Sequence, residues 1–283
     1  MPELPDIADT KGRYCPCCDR HVRKGFEPGP DGRPDARCPH CRSLERHRFF
    51  AVLLGVLSPE LTDVGVLLDV APSPHARKRL LELGPRSYVR LDISPWRGID
   101  LRGDLTRLPL RDGCVDLIHC YHVLEHVPDD AAAIRELARV LAPDGLALVQ
   151  VPWRPAMVTD EDPSAGEEER IRRFGQADHV RYYGGDFEDR LVAGGLSATR
   201  ITPHDFLGEQ MNTWMGLGTD QSMWLVRSLR ATKPAATRIV PDRTPLTATL
   251  DAALRELARV RLERKDAVQQ LRALSSSSGE NAG

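Results

Sequence analysis

The chain has 283 residues, 41% of them hydrophobic, and a formal net charge of −2. That is enough for one α/β core plus a small extra module, while no stretch approaches the roughly 20 apolar residues of a membrane span and the start lacks a charged-then-apolar targeting pattern, so cytoplasm is the expected compartment. Ten Lys plus Arg against eight Asp plus Glu over residues 1–50 argue against a surface that tracks nucleic-acid phosphates, and the excess of Arg over Lys reads as coding bias.

The first feature along the chain is a pair of cysteine turns, Cys15-Pro-Cys17-Cys18 and Cys38-Pro-His40-Cys41. Cys15, Cys18, Cys38 and Cys41 give C-x2-C-x19-C-x2-C, a spacing in the range of four-cysteine zinc sites. Two such turns aim four thiolates at a tetrahedron, which Zn²⁺ favours, and a closed site of this kind is structural. Cys17 and His40 are spare residues that could exchange into the set. Two disulfides in a secreted domain are the alternative. They fit poorly because seven cysteines cannot all pair and Cys114 and Cys120 look like buried sheet thiols. Residues 1–45 are therefore read as a zinc ribbon.

Ser43 reads as the N-cap of a helix continuing through Leu57, able to lay Arg46 or His47 over a ligand pocket. Four apolar runs come next: Val64–Ala71, Tyr88–Ile93, Val115–Cys120 and Leu146–Val151. Helix-like segments separate them, the pattern of parallel strands buried on both faces. Such sheets bind ligands outside their carboxyl ends, where Asp69 and Asp92 fall. In the first crossover, Ser73 is an N-cap and Pro74 suits the first helical position, and the helix His75–Leu83 should stop at Gly84-Pro85. Asp92 lies 19 residues beyond Ser73, close to the separation of about 20 at which an acid meets ribose hydroxyls. Asp104, in Gly103-Asp104-Leu105, is placed to accept from the amino group of an adenine.

Trp153–Arg170, with two prolines and the acidic run Glu167–Glu169, reads as a lid or loop beside the pocket. Gly185-Asp186 opens a helix ending at Gly194-Gly195, with a strand Ser197–Thr202 behind it, and Met223–Arg227 reads as the last strand. Residues 231–245 form a Pro/Thr linker, Thr247–Leu274 a helix whose apolar face Arg261 and Arg264 interrupt, and 275–283 a disordered tail. The predicted organisation is a ribbon over 1–45, a ligand-binding domain over 46–230 and a C-terminal extension over 231–283.

From about Leu57 to Arg227 these motifs resemble, in order, the class I S-adenosylmethionine-dependent methyltransferases of type 11. Asp69-Val-Ala71-Pro72-Ser73 stands where the family has an acid and alternating glycines. Asp92 matches the ribose-binding acid, and Asp104-Leu105 the adenine-contacting pair. Val115–Val127 resembles the post-strand motif around the methionine moiety, and Arg139–Gly145 the turn before strand five. Phe174-Gly-Gln-Ala-Asp178-His179-Val-Arg181-Tyr182 resembles a segment of a bacterial subset that carries an N-terminal Cys-rich region.

The resemblance implies a doubly wound, mostly parallel Rossmann-like α/β methyltransferase sheet, flanked by the zinc ribbon and the C-terminal helix. It implies S-adenosylmethionine held by Asp69, Ala71, Pro72, Asp92, Ile93, Asp104 and Leu105, and a small-molecule acceptor. It leaves homodimer formation open. His122 and His179 are the candidates for a base, because an unperturbed imidazole titrates near neutrality. One departure stands out: Ala71 and Ser73 replace loop glycines, and Pro72 removes an N–H, which predicts an altered cofactor cradle. His122, Glu125 and His126 also match H-x-x-E-H, the inverted zinc-protease signature. The same stretch resembles the E-x-x-E-H run of ubiquinone-type O-methyltransferases, which binds a divalent ion such as Mg²⁺, but His122 stands at its first place, and the position after a buried strand gives Glu125 and His126 the simpler expectation of capping and packing. The competing functions are an rRNA or tRNA base methyltransferase that uses the ribbon for RNA, and a non-catalytic zinc-dependent interaction protein.

Overall fold

The computed structural model describes residues 12–30, 32–58, 60–218 and 221–230. The linker, helix and tail expected over 231–283 lie outside the described residues. At the amino end, β1 (Arg13–Cys15) and β2 (Arg20–Val22) pair antiparallel, and the first cysteine turn joins them. Helix α1 (Glu45–Leu57) follows. Its N-cap is Leu44 and not the expected Ser43, and the Leu44 N–H donates to Nδ1 of His47 at 3.1 Å. Ser43 is diverted because its hydroxyl lies 3.3 Å from the Cys15 sulfur and 3.1 Å from that of Cys41.

The chain then alternates strand and helix: β3 (Val66–Val70), α2 (Pro74–Leu81), β4 (Ser87–Asp92), β5 (Leu101–Arg102), β6 (Val115–Tyr121), a single 3₁₀ turn (Leu124–His126), α3 (Asp130–Val140) and β7 (Leu141–Gln150). Ser73 caps α2 through the Ala76 N–H, Pro74 occupies the first turn and Gly84 has φ +64, all as the pattern predicts. The Ala142–Gly145 turn forms as a bulge inside β7: Val115 pairs with Leu141 and Leu117 with Leu146.

Residues 153–170, expected as a lid or loop, are instead tied down. β8 (Trp153–Arg154) and β9 (Asp160–Glu161) flank β10 (Arg181–Gly184) in a small sheet, and the acidic run becomes the first turn of α4 (Glu167–Phe174). Carboxylates there complement the helix dipole, and Arg173 binds Asp160 and Asp162 behind them. The chain continues through α5 (Phe187–Ala193), β11 (Leu196–Ile201), α6 (Pro203–Met215) and β12 (Met223–Ser228). The pattern reading contains no counterpart of α6.

The main sheet has the order β11-β12-β7-β6-β3-β4-β5, with β12 running against its neighbours and β3 through β7 parallel. Strand alternation feeds two cores. Leu68, Val70, Ile118 and Cys120 pack with Ile134, Leu137 and Trp224 on one face, while Leu67, Leu117 and Leu148 pack with Phe49, Phe50 and Leu53 on the other. The order reverses direction between β3 and β6, which opens a crevice at their carboxyl ends.

Candidate functional site

That crevice is a cavity of about 340 Å³ whose walls come from four strand ends. β3 supplies Val70 and Ala71, β4 supplies Leu91, Asp92 and Ile93, the segment after β5 supplies Gly103 to Thr106, and the segment after β6 supplies Val123 and His126 to Asp129. Three acids thus line one largely apolar space, and of these Asp129 is committed to capping α3 through the Ala132 N–H. Asp92 Oδ1 accepts the Ser94 N–H at 2.8 Å and Oδ2 accepts the Trp96 indole N–H at 2.9 Å. Each oxygen keeps a second lone pair for hydroxyls of a ligand. Asp104 Oδ1 accepts from the N–H and hydroxyl of Thr106, both at 2.8 Å, a geometry that fixes the carboxylate at the rim.

Of the residues expected at the cofactor, Ala71, Asp92, Ile93, Asp104 and Leu105 line this cavity; Asp69 and Pro72 do not. Asp69 sits on the opposite face of β3 from Val70, fully buried. Its Oδ1 lies 2.6 Å from His119 Nδ1, and Tyr88 donates its hydroxyl to Oδ2. The carboxylate is thus bound into a row across β4, β3 and β6 beneath α1. Trp96 and Thr106 were missed in the sequence, whereas His126 was read there as a packing residue. Trp96 lies only four residues beyond Asp92, but nothing in a linear pattern says that the chain turns back to bring its indole there.

Two non-glycine residues at neighbouring strand ends have left-handed backbones: Ala71 with φ +49 and His122 with φ +52. Each such residue costs about 1 kcal/mol, and strain of this kind concentrates at ligand sites. The Ala71 N–H is held by the Leu91 carbonyl at 2.8 Å and that of His122 by the Gln150 carbonyl at 2.8 Å. His122 points Nδ1 at Glu125 Oε1, 3.1 Å away, and its Nε2 is buried without a partner among the described residues. Neither His122 nor the second candidate base, His179, lines the cavity; His179 packs behind its wall, with its ring centre 4.7 Å from that of His126. It is 3% exposed, with Nδ1 3.1 Å from the Phe174 carbonyl, and burial holds its imidazole below the usual range.

The four predicted cysteines converge: one sulfur each from Cys15, Cys18, Cys38 and Cys41 lies within 4.8 Å of the others. Cys15–Cys41 and Cys18–Cys38 sulfurs are 3.6 and 3.8 Å apart. The edge of a tetrahedron with metal–sulfur bonds of about 2.3 Å is about 3.8 Å. Cys17 and His40 stand outside the set, with His40 Nδ1 3.5 Å from an Arg20 nitrogen.

This cluster is docked against the helix that follows the cavity loop. His75 donates from Nε2 to the Cys41 carbonyl at 2.9 Å, and Arg79 donates to the Pro16 carbonyl at 2.7 Å. His47 stacks on His75 with ring centres 4.2 Å apart, against α2, and neither it nor Arg46 lines the cavity over which they were expected. Burial, followed by the charge of Arg46, pushes the His47 imidazole down to about 2 from 6.5. Its folded-state value lies below the unfolded one, so His47 contributes stability above about pH 6.5 that is lost as the pH falls. Between pH 7.5 and 5.5 the loss is about 1.4 kcal/mol. Urea unfolding at the two pH values is expected to show His47→Asn with a pH dependence shallower by that amount; equal dependence in both proteins contradicts it.

A family model described as "Methyltransferase domain" matches residues 54–149, which carry β3 through β7 and every wall of the cavity. The chain is 36% identical over 91 residues to a Mycolicibacterium smegmatis protein named "probable S-adenosylmethionine-dependent methyltransferase", covering 32% of this chain and 30% of that one. It is 35% identical over 94 residues to a ubiquinone biosynthesis O-methyltransferase of Xanthomonas oryzae pv. oryzae, covering 32% and 36%. The chain thus spans about a third of the length of the curated relatives it matches. A solved Bacillus subtilis structure, the YcgJ protein, is similar over 61% of this chain and 95% of its own, with 19% identity and a TM-score of 0.41.

Proposed function

We propose that this chain, whose residues 54–149 match the methyltransferase-domain model, transfers a methyl group from S-adenosylmethionine to an oxygen or nitrogen of a small molecule in the cytoplasm. The observation that carries the reading is the convergence of Asp92 and Asp104 on one cavity at the reversal point of the sheet. The donor set fits a nucleoside: carboxylates for vicinal hydroxyls and an amino group, and the apolar side chains of Val70, Leu91, Leu105 and Val123 for a flat base. Ala71, Asp92, Ile93, Asp104 and Leu105 would hold the cofactor, which supplies a methyl already activated on a sulfonium.

The protein's part is then to position an acceptor, exclude water and, where the acceptor carries a proton, remove it. His122 is our candidate for that last step. With Nδ1 directed at Glu125, the neutral imidazole carries its proton there and leaves the Nε2 lone pair free. The buried position of His179 makes it a structural residue in this reading. We infer further that the cysteine cluster holds one Zn²⁺ as a structural staple, because its sulfur separations suit a tetrahedral ion and Ser43 supplies a hydroxyl to two of the sulfurs.

Titration calorimetry with S-adenosylmethionine, with Trp96 fluorescence as a second readout, tests the proposal. The wild-type chain is expected to bind. Asp92→Ala is expected to bind at least about 100-fold more weakly, since two charge-assisted hydrogen bonds of about 1.5–3 kcal/mol each are lost. A wild-type chain that gives neither heat nor thermal shift with the cofactor overturns it.

A further inference from the structure

We propose a second metal site, apart from the cysteine cluster, in which Glu125, His126 and His179 bind one divalent transition-metal ion of the Zn²⁺ or Co²⁺ kind. One carboxylate oxygen and one nitrogen from each ring lie within 4.8 Å of one another. Glu125 and His126 belong to the 3₁₀ turn after β6, whereas His179 arrives from the segment between α4 and β10.

Three features make this a built site. Glu125 is fully buried; its Oε1 faces His122 Nδ1 at 3.1 Å, and its Oε2 is buried with no partner among the described residues. A buried carboxylate oxygen in that condition is costly unless a cation meets it. Both rings are held through Nδ1, which leaves Nε2 for an ion: His126 Nδ1 lies 3.2 Å from the Asp178 carbonyl and 3.3 Å from Asp178 Oδ2, and His179 Nδ1 lies 3.1 Å from the Phe174 carbonyl. An N–H committed to a carbonyl fixes the tautomer with a lone pair on Nε2, which is how metal-ligating histidines are held by their surroundings. The two rings meet edge to face, centres 4.7 Å apart.

The frame is also rigid without any ion. The Val180 N–H donates to the Glu125 carbonyl at 2.9 Å, and the fully buried Arg181 donates to the carbonyls of Leu124, Val127 and Pro128. Two imidazoles and one carboxylate suit borderline divalent ions better than Mg²⁺ or Ca²⁺, which favour oxygen donors. His126 lines the cavity, so the ion would lie in the cavity wall and clip the post-β6 turn to the segment before β10.

The test uses the full chain, stripped with chelator and titrated with Co²⁺. Wild type is expected to take up one equivalent with thiolate-to-cobalt charge-transfer absorption and one with d–d bands alone. Cys38→Ser should keep the second kind, and His179→Gln, Glu125→Gln and the more exposed His126→Asn should each lose it while keeping the first. If Cys38→Ser binds no Co²⁺, or if two of the three site variants that keep the wild-type far-ultraviolet dichroism bind as wild type does, the site does not exist. Cofactor binding is not part of this readout, so failure here and failure of the methyl-transfer reading are separate results.

Discussion

Replacing Arg48 with methionine is expected to destabilise the chain by about 3–5 kcal/mol, the range for removing one partner of a buried charged network. Arg48 is fully buried, and its guanidinium donates to the Ala36 and Ser43 carbonyls of the cysteine module and, from the other side, to the carbonyl of Met215 at the end of α6, each at 2.9 Å, and to that of Gly216 just beyond it. Phe26 lies under the same group, 4.1 Å from its ring centre. Methionine fills comparable volume but takes the guanidinium donors away from four carbonyls in three segments, of which that of Ser43 keeps the Cys38 N–H at 2.9 Å. Lysine should recover only a part, because its ammonium cannot span a planar fork of acceptors. Urea midpoints at constant m-value report the change, and a loss under about 1 kcal/mol for Arg48→Met would remove Arg48 as the link between module and sheet.

Stripping the metal, or substituting Cys38→Ser, is expected to unfold residues 13–43 while the main sheet survives. The module's own core consists of Cys15, Val22, Phe26 and Cys38. So small a set cannot offset chain entropy without a staple, and structural zinc supplies about 10 kcal/mol or more in apparent binding free energy. The sheet rests on two larger cores that contain no cysteine ligand. Hydrogen exchange should therefore show protection lost over the module and retained across β3 to β7. It should fall moderately at the start of α2, where the contacts of His75 with Cys41 and of Arg79 with Pro16 disappear. Full protection of residues 13–43 in metal-free protein refutes the structural staple.

The parts of the fold that were legible in the sequence are those whose signals are local. Ser73, Pro74 and Gly84 bound α2 as capping chemistry dictates, and the apolar runs become β3, β4, β6 and β7 because nothing else buries both faces of such segments. Within the site, Asp92 and Asp104 could be placed because each follows directly from the end of a strand. Asp69 sits one residue too early. A shift of one position along a strand reverses the face, and the carboxylate is taken up by His119 and Tyr88.

Ser43 shows a similar competition, between capping a helix and serving two thiols 3.1 and 3.3 Å away, and the thiols win. By itself the amino-acid order determined the strand-and-helix alternation, the four converging cysteines and the acids at the strand ends, because periodicity, caps and ligand spacing act within a few residues. Only the tertiary structure decided that Arg48 joins carbonyls from three segments, that α6 seats the cysteine module through the Tyr14–Trp214 stack, and that His179 meets Glu125. Those meetings depend on how elements distant in the chain pack, and pair contacts across more than 50 residues leave no periodic trace in the sequence.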